Sequence, residues 1–86
     1  MAILKIHLRL FASYRDKVGS SSLDLVFQDK ATVGDLVLEM VGRYPDLCHD
    51  PDSMVVAVNQ EYRDHEYFLS DEDEVALIPP VSGGIG

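Results

Sequence analysis

The C-terminal segment of the chain combines two prolines with three glycines and leads to a carboxylate with little steric cover. Residues 79–86 read PPVSGGIG. Glycine loses more conformational freedom on ordering than any other residue, whereas proline fixes φ near about −65° and lacks a backbone donor. A bare carboxyl on a glycine segment can be threaded into the active site of another protein. The pattern therefore indicates a carrier whose terminal carboxyl is the reacting group.

Length and composition indicate one small globular domain. The chain has 86 residues, of which 47% are hydrophobic, and this is enough for a single modest core. The apolar runs are too short to cross a bilayer, and no basic segment followed by an apolar stretch marks a signal peptide. The chain has one cysteine, which excludes an internal disulfide and is typical of a reducing compartment. We expect a cytoplasmic location.

The net negative charge of the chain indicates which classes of partner it can bind. A net charge of −8 repels phosphate backbones and anionic membrane surfaces, so we expect neither nucleic acid nor membrane as a partner. It favours association with proteins that carry basic patches. The densest acidic cluster is DEDE at residues 71–74. We interpret it as a solvated turn before a strand rather than as a cation site.

Other residues that could do chemistry give weaker indications. Cys48, His49 and Asp50 are consecutive, and adjacent residues rarely direct their side chains at one metal ion. His7 and His65 have no serine or cysteine nucleophile nearby in sequence, which argues against a catalytic role. We expect no metal site and no bound cofactor.

Hydrophobic periodicity predicts the elements that must present the C-terminal segment. Alternating residues over 4–10 and 23–27 predict two strands, which we expect to pair antiparallel. A short helix is predicted over 12–18, ending at Gly19. Three further strands are predicted over 54–58, 61–63 and 75–78, with a turn at 59–60.

One amphipathic helix is predicted after residue 32. Thr32 is placed to cap its first turn, together with Asp35 three residues later. Pro45 is expected to end it at or before Tyr44. The predicted buried stripe consists of Val33, Leu36, Val37, Met40, Val41 and Tyr44.

This order predicts an α+β fold, in which a mixed sheet of about four to five strands curls around one main helix. The first and last strands lack internal breakers, so we expect them side by side in the centre. That pairing puts Phe11 near Ile78, with Tyr62 close by, in an exposed apolar patch suited to a partner. We expect a folded domain over residues 1–80 and a flexible tail over 81–86.

Four segments resemble the MoaD/ThiS family, and most narrowly the small subunits of molybdopterin synthase. They are residues 11–16, FASYRD; 32–36, TVGDL; 56–59, VAVN; and 73–84, DEVALIPPVSGG. The resemblance covers nearly the whole chain and implies a ubiquitin-like β-grasp sulfur carrier. It further implies that an activating enzyme adenylates the terminal glycine carboxylate with ATP. A sulfurtransferase then supplies the sulfur of a thiocarboxylate.

The same resemblance implies partners and site residues. The thiocarboxylate would enter the large subunit of molybdopterin synthase and donate sulfur to cyclic pyranopterin monophosphate, in a heterotetramer with two small subunits. The carrier is then not catalytic alone. Phe11, Tyr62 and Ile78 match the interface with the large subunit. The residues that match the threaded tail are Pro80, Val81, Ser82 and Gly83.

The sequence departs from the family at its last residues. The family's chains usually stop at the diglycine, whereas Ile85 and Gly86 follow Gly84 here. Two hypotheses stand: removal of Ile85 and Gly86 makes Gly84 the thiocarboxylated residue, or Gly86 is itself the active terminus. We favour removal.

Two other functions compete with this hypothesis. A carrier of the same kind could serve thiamine synthesis, tRNA thiolation or protein conjugation. A ubiquitin-like module could instead bind partners non-covalently through its patch, with no use for the tail.

Overall fold

The structure is a computed structural model that describes residues 3–48 and 50–79. Within them, no helix is long and apolar enough to cross a membrane. The elements are β1 (Leu4–Leu10), α1 (Ala12–Val18), β2 (Ser22–Phe27), α2 (Val33–Arg43), a 3-10 turn (Pro51–Ser53), β3 (Val55–Val58), β4 (Glu61–Arg63) and β5 (Glu74–Ile78).

The predicted elements are confirmed with small changes at their ends. The third strand was expected to include Met54, but β3 begins at Val55. Met54 instead closes the 3-10 turn, because its N–H donates to the carbonyl of Pro51 at 3.2 Å. α2 ends one residue before Tyr44, whose N–H donates to the Met40 carbonyl.

The five strands form one mixed sheet in the order β2-β1-β5-β3-β4. β1 pairs antiparallel with β2 and parallel with β5, and β3 pairs antiparallel with both β5 and β4. The first and last strands are therefore neighbours near the centre of the sheet, as predicted. This arrangement confirms the expected α+β architecture with a mixed sheet.

The inner face of the sheet packs against α2. Leu8 and Leu77 from the two central strands belong to the same fully buried cluster as Leu36 and Met40 from the helix. Burial of such large aliphatic side chains is the main favourable term in folding, at about 1.5–3 kcal/mol each. The predicted stripe is buried from Val33 to Met40, and its last members, at residues 41 and 44, are half-buried.

The N-terminus of α2 is fixed by a reciprocal pair of hydrogen bonds. The Thr32 hydroxyl accepts from the Asp35 N–H at 3.2 Å, and the Asp35 carboxylate accepts from the Thr32 N–H at 2.9 Å. This capping box satisfies two donors at the start of the helix. Gly34 allows a close approach there, because a Cβ at this position would lie 3.1 Å from the His65 carbonyl oxygen.

Candidate functional site

The sheet has an outer face that α2 leaves uncovered. Alternation along each strand and the register between strands decide which side chains share this face. Its members are Lys5, His7 and Arg9 of β1; Ser22, Asp24 and Val26 of β2; Val55 and Ala57 of β3; Tyr62 of β4; and Glu74, Ala76 and Ile78 of β5.

The predicted apolar patch lies at one end of this outer face. Leu10 pairs with Leu77, so the residues that follow, Phe11 and Ile78, come next to each other where the two strands end. The Phe11 side chain is 45% exposed and Tyr62 is 74% exposed. Ile78 is only half-buried rather than exposed as expected, because it lies on a central strand with Val55 opposite it.

A shallow depression of about 270 Å³ lies beside this patch, and we call it the alanine depression. Ala57 and Ala76 are paired across β3 and β5, and Tyr62 is paired with Ala57 from the other side. The residues that line the depression are Arg9, Phe11, Ala57, Gln60, Glu74 and Ala76.

Sequence reasoning missed the two alanines and Val55. The signal that could have revealed them was the occurrence of small or apolar residues at outward positions of β3 and β5, where the outward positions of β1 are all polar. Two outward alanines that are paired across adjacent strands, beside larger side chains such as Tyr62 and Arg9, leave a depression in a sheet surface, because side chains there are close neighbours.

The opposite end of the outer face is polar. The His7 ring lies between two carboxylates, with Nδ1 at 3.0 Å from Asp24 Oδ1 and Nε2 at 2.7 Å from Glu72 Oε1. The hydrogen bond to Glu72, followed by that to Asp24, raises the pKa of His7 above its ordinary value of 6.5. Arg9 donates to Glu74 at 3.1 Å across β1 and β5.

The acidic cluster at residues 71–74 is more than a solvated turn. Asp71 and Glu72 are exposed, as predicted, but Asp73 is only 8% exposed and Glu74 lies within β5. The Asp73 carboxylate accepts from the Asn59 side chain at 2.9 Å and from the Ser70 N–H at 2.7 Å. These contacts give the cluster a structural role, because they fix the start of the last strand, β5.

The remaining candidates for chemistry have structural surroundings. Cys48 is half-buried and its Sγ lies 3.2 Å from the Asp50 carbonyl oxygen, whereas His49 is outside the described residues. The His65 ring donates to the Met54 carbonyl at 2.8 Å. Over residues 3–48 and 50–79, no three His, Cys, Asp or Glu side chains are grouped so as to hold a metal ion.

The last strand brings the chain to the apolar end of this outer face. β5 ends at Ile78, a member of the apolar patch, and Pro79 is the last described residue. The predicted tail and reacting residues therefore lie outside the described residues. They are Pro80, Val81, Ser82, Gly83, Gly84 and Gly86. Pro80, the first residue that matches the threaded tail, lies two positions after Ile78 in the sequence, so a partner bound to the patch would also be close to the start of that segment.

Comparison with known proteins gives consistent results. The ThiS family matches residues 8–84 of this chain. The molybdopterin synthase sulfur carrier subunit of Aedes aegypti is 36% identical over 95% of this chain and 91% of its own length.

Solved structures show the same fold. The Haloferax volcanii small archaeal modifier protein 1 is 30% identical, with a TM-score of 0.78, and the match covers 91% of this chain and 99% of that one. Ubiquitin of Caldiarchaeum subterraneum is 20% identical, with a TM-score of 0.67, over 96% of this chain and 100% of that one. The predicted ubiquitin-like β-grasp fold is thereby confirmed.

Proposed function

This chain belongs to the ThiS family, and we propose that it is a sulfur carrier that acts as the small subunit of molybdopterin synthase. The observation that carries the proposal is the similarity to a molybdopterin synthase sulfur carrier subunit along nearly the whole of both chains. The C-terminal sequence VSGG supports it, because a carrier that is threaded into an active site needs small residues beside its reacting carboxyl.

The proposed chemistry begins with activation of a carboxylate, which is a poor electrophile. A carboxylate oxygen of the C-terminal glycine attacks the α-phosphorus of ATP on an activating enzyme, and pyrophosphate leaves. The terminal sulfur of a persulfide on a sulfurtransferase then attacks the acyl carbon and displaces AMP, which gives an acyl disulfide. A second thiol attacks the sulfurtransferase sulfur of this disulfide, so that the thiocarboxylate leaves and a disulfide remains on the sulfurtransferase. Covalent activation of this kind divides one difficult substitution into two easier ones.

Transfer takes place in the large subunit. The thiocarboxylate sulfur attacks a carbon of cyclic pyranopterin monophosphate and displaces an oxygen substituent. Water then attacks the acyl carbon of the carrier, which breaks its bond to sulfur and restores the carboxylate. The carrier supplies no catalytic group to this step, and its folded body holds the tail in place. Phe11, Tyr62 and Ile78 on the outer face are proposed to contact the large subunit.

We assign the reacting carboxyl to Gly84. The family match ends at this residue, and glycine has no Cβ to shield the carbon that is attacked. Ile85 would instead put a β-branched side chain where the threaded segment is otherwise narrow. Use of Gly86 as the active terminus is the alternative that the experiment must distinguish.

Two truncations test the assignment in cells that lack their own carrier. Removal of residues 85–86 should leave a protein that forms a thiocarboxylate at Gly84 and restores molybdenum-enzyme activity. Removal of residues 83–86 should abolish both, while the protein still folds and binds the large subunit. Intact mass measurement detects the replacement of one oxygen by sulfur.

Two outcomes would contradict the proposal. Activity in cells with the protein that lacks residues 83–86 would mean that the outer face alone is sufficient, as in a non-covalent module. A thiocarboxylate on Gly86 of the intact chain in its native host would reject Gly84 as the reacting residue.

A second candidate, protein modification, is favoured by the similarity to small archaeal modifier protein 1. In that case the activated glycine would be attacked by a lysine amine, giving an isopeptide bond and releasing AMP. Denaturing electrophoresis of cells that express a tagged chain separates the two functions. A sulfur carrier gives a non-covalent complex that dissociates, whereas a modifier gives adducts that survive denaturation.

A further inference from the structure

We propose that the alanine depression receives one large apolar side chain of the large subunit. The inference rests on the proposed function, since it specifies how the large subunit contacts the outer face. It adds Ala57 and Ala76 as the residues that determine whether the partner fits.

The shape of the depression supports a single inserted side chain. Ala57 and Ala76 are adjacent on paired strands and form a floor without bulk, and Phe11 stands at the side. Ala57 is only 7% exposed, so the larger side chains around the depression already enclose this part of the floor. An aromatic or long aliphatic group seated there would bury Phe11 and the outer surface of Tyr62 together.

The two charged residues that line the depression are paired with each other. Arg9 donates to Glu74 at 3.1 Å. The carboxylates of Asp24 and Glu72, which enclose His7, lie farther along the same face, at its polar end. The lining therefore has no excess charge of either sign, and an uncharged side chain suits the depression better than a charged one.

The position of the floor connects the depression to the tail. Ala76 lies on β5, two residues before Ile78, and the chain continues from there towards Gly84. A side chain seated on Ala76 therefore fixes the strand from which the tail departs. Insertion at this point sets where the tail enters the partner.

The test measures affinity for the purified large subunit. Ala76→Leu fills the depression and Phe11→Ala removes its side wall, and each should weaken binding about tenfold or more. Ser22→Leu and Val26→Ala are the matched controls, because both positions lie on the same face but on the edge strand β2. These two should change the affinity by less than about twofold.

Three results would overturn the inference. Wild-type affinity of Ala76→Leu would show that the depression stays empty in the complex. Equal loss in the β2 controls would show that the whole face, rather than the depression, determines binding. A wild-type dimer that Ala76→Leu abolishes would assign the depression to a second copy of this chain.

The variants also separate this inference from the proposed function. Failure of the wild-type chain to form a thiocarboxylate at Gly84 refutes the sulfur chemistry and leaves the binding measurement valid. Phe11 is exposed, so Phe11→Ala keeps the test decisive should Ala76→Leu fail to fold. A circular dichroism melt of each variant identifies that case.

Discussion

At the scale of single residues, the acidic run at 71–74 shows how position decides the role of one chemical group. The Asp71 carboxylate accepts from the Lys5 N–H, and the Glu72 carboxylate contacts the His7 ring. The Asp73 carboxylate accepts from the Asn59 side chain and the Ser70 N–H. The Glu74 carboxylate pairs with Arg9. Glu72 also has a φ of 68°, which is unusual for a residue with a side chain. Its N–H donates to the Lys5 carbonyl at 2.7 Å, which holds the strained turn against β1.

His7 gives a prediction at this scale. Its pKa is raised by Glu72 and then by Asp24, so the folded state binds the proton more tightly than the unfolded state. The contribution of His7 to stability is therefore complete below its ordinary pKa of 6.5 and is lost as pH rises through the raised value. We expect the difference in free energy of unfolding between the wild type and His7→Gln to shrink from about pH 6 to about pH 8.

An NMR titration of the imidazole provides the direct measurement. Glu72→Gln removes the larger of the two causes and should lower the pKa of His7, whereas Asp52→Asn, on the 3-10 turn, serves as a charge-matched control. An unchanged pKa in Glu72→Gln would show that the contact to this carboxylate does not persist in solution.

At the scale of elements, the turn between β3 and β4 joins three parts of the sheet. Asn59 and Gln60 both have positive φ, 52° and 72°, as a two-residue hairpin turn requires. The Asn59 amide donates to Asp73 and accepts from the Glu74 N–H at 3.0 Å. The turn therefore fixes the start of β5 as well as the hairpin.

Replacement of Gln60 by glycine should stabilise the protein. Removing a side chain from the left-handed region gains about 1–2 kcal/mol, and the greater freedom of the unfolded chain costs about 0.5–1 kcal/mol. We expect a net increase of about 0.5–1 kcal/mol in the free energy of unfolding, measured by urea denaturation.

Asn59→Gly is the matched control for this substitution, because it relieves the same backbone conformation but loses both side-chain hydrogen bonds. It should destabilise the protein. Stabilisation by both substitutions would mean that the contacts of Asn59 to Asp73 and Glu74 contribute nothing measurable.

At the scale of the whole molecule, one sheet separates two surfaces with different tasks. The inner face and α2 form the core, while the outer face holds an apolar end and a polar end. Because β1 and β5 are central, both ends of the outer face are attached to the best-buried part of the sheet. A partner that binds the outer face would meet side chains whose strands are anchored in the core.

The net charge of −8 gives a prediction at this scale. Long-range attraction to a basic partner speeds encounter and is screened by salt, with a Debye length of about 10 Å at 0.1 M. We expect the association rate with the large subunit to fall about tenfold or more between about 0.05 M and about 0.5 M salt. The dissociation rate should change little, as surface plasmon resonance can measure.

Ala76→Leu provides the contrast, since it acts on the docked complex and should mainly raise the dissociation rate. An association rate that is independent of salt would contradict a basic partner surface. That result would leave the apolar contact of the alanine depression as a separate question.

The sequence by itself determined the elements and most of the fold. Alternation marked β1 and β5, the Thr32 and Asp35 pair marked the start of α2, and Pro45 marked its end. These patterns can be recognised in the sequence because strand and helix periods are local properties of the chain. The resemblance of the last residues to a known family supplied the chemistry that periodicity cannot supply.

Only the tertiary structure decided the composition of the outer face. The parallel register of β1 and β5 brings His7 opposite Glu74 and Arg9 opposite Ala76, although 67 residues separate each pair in the chain. The same register half-buries Ile78, which the sequence had suggested would be exposed. Register depends on hydrogen bonds and packing between distant segments, so no local pattern can reveal which side chains become neighbours across a sheet.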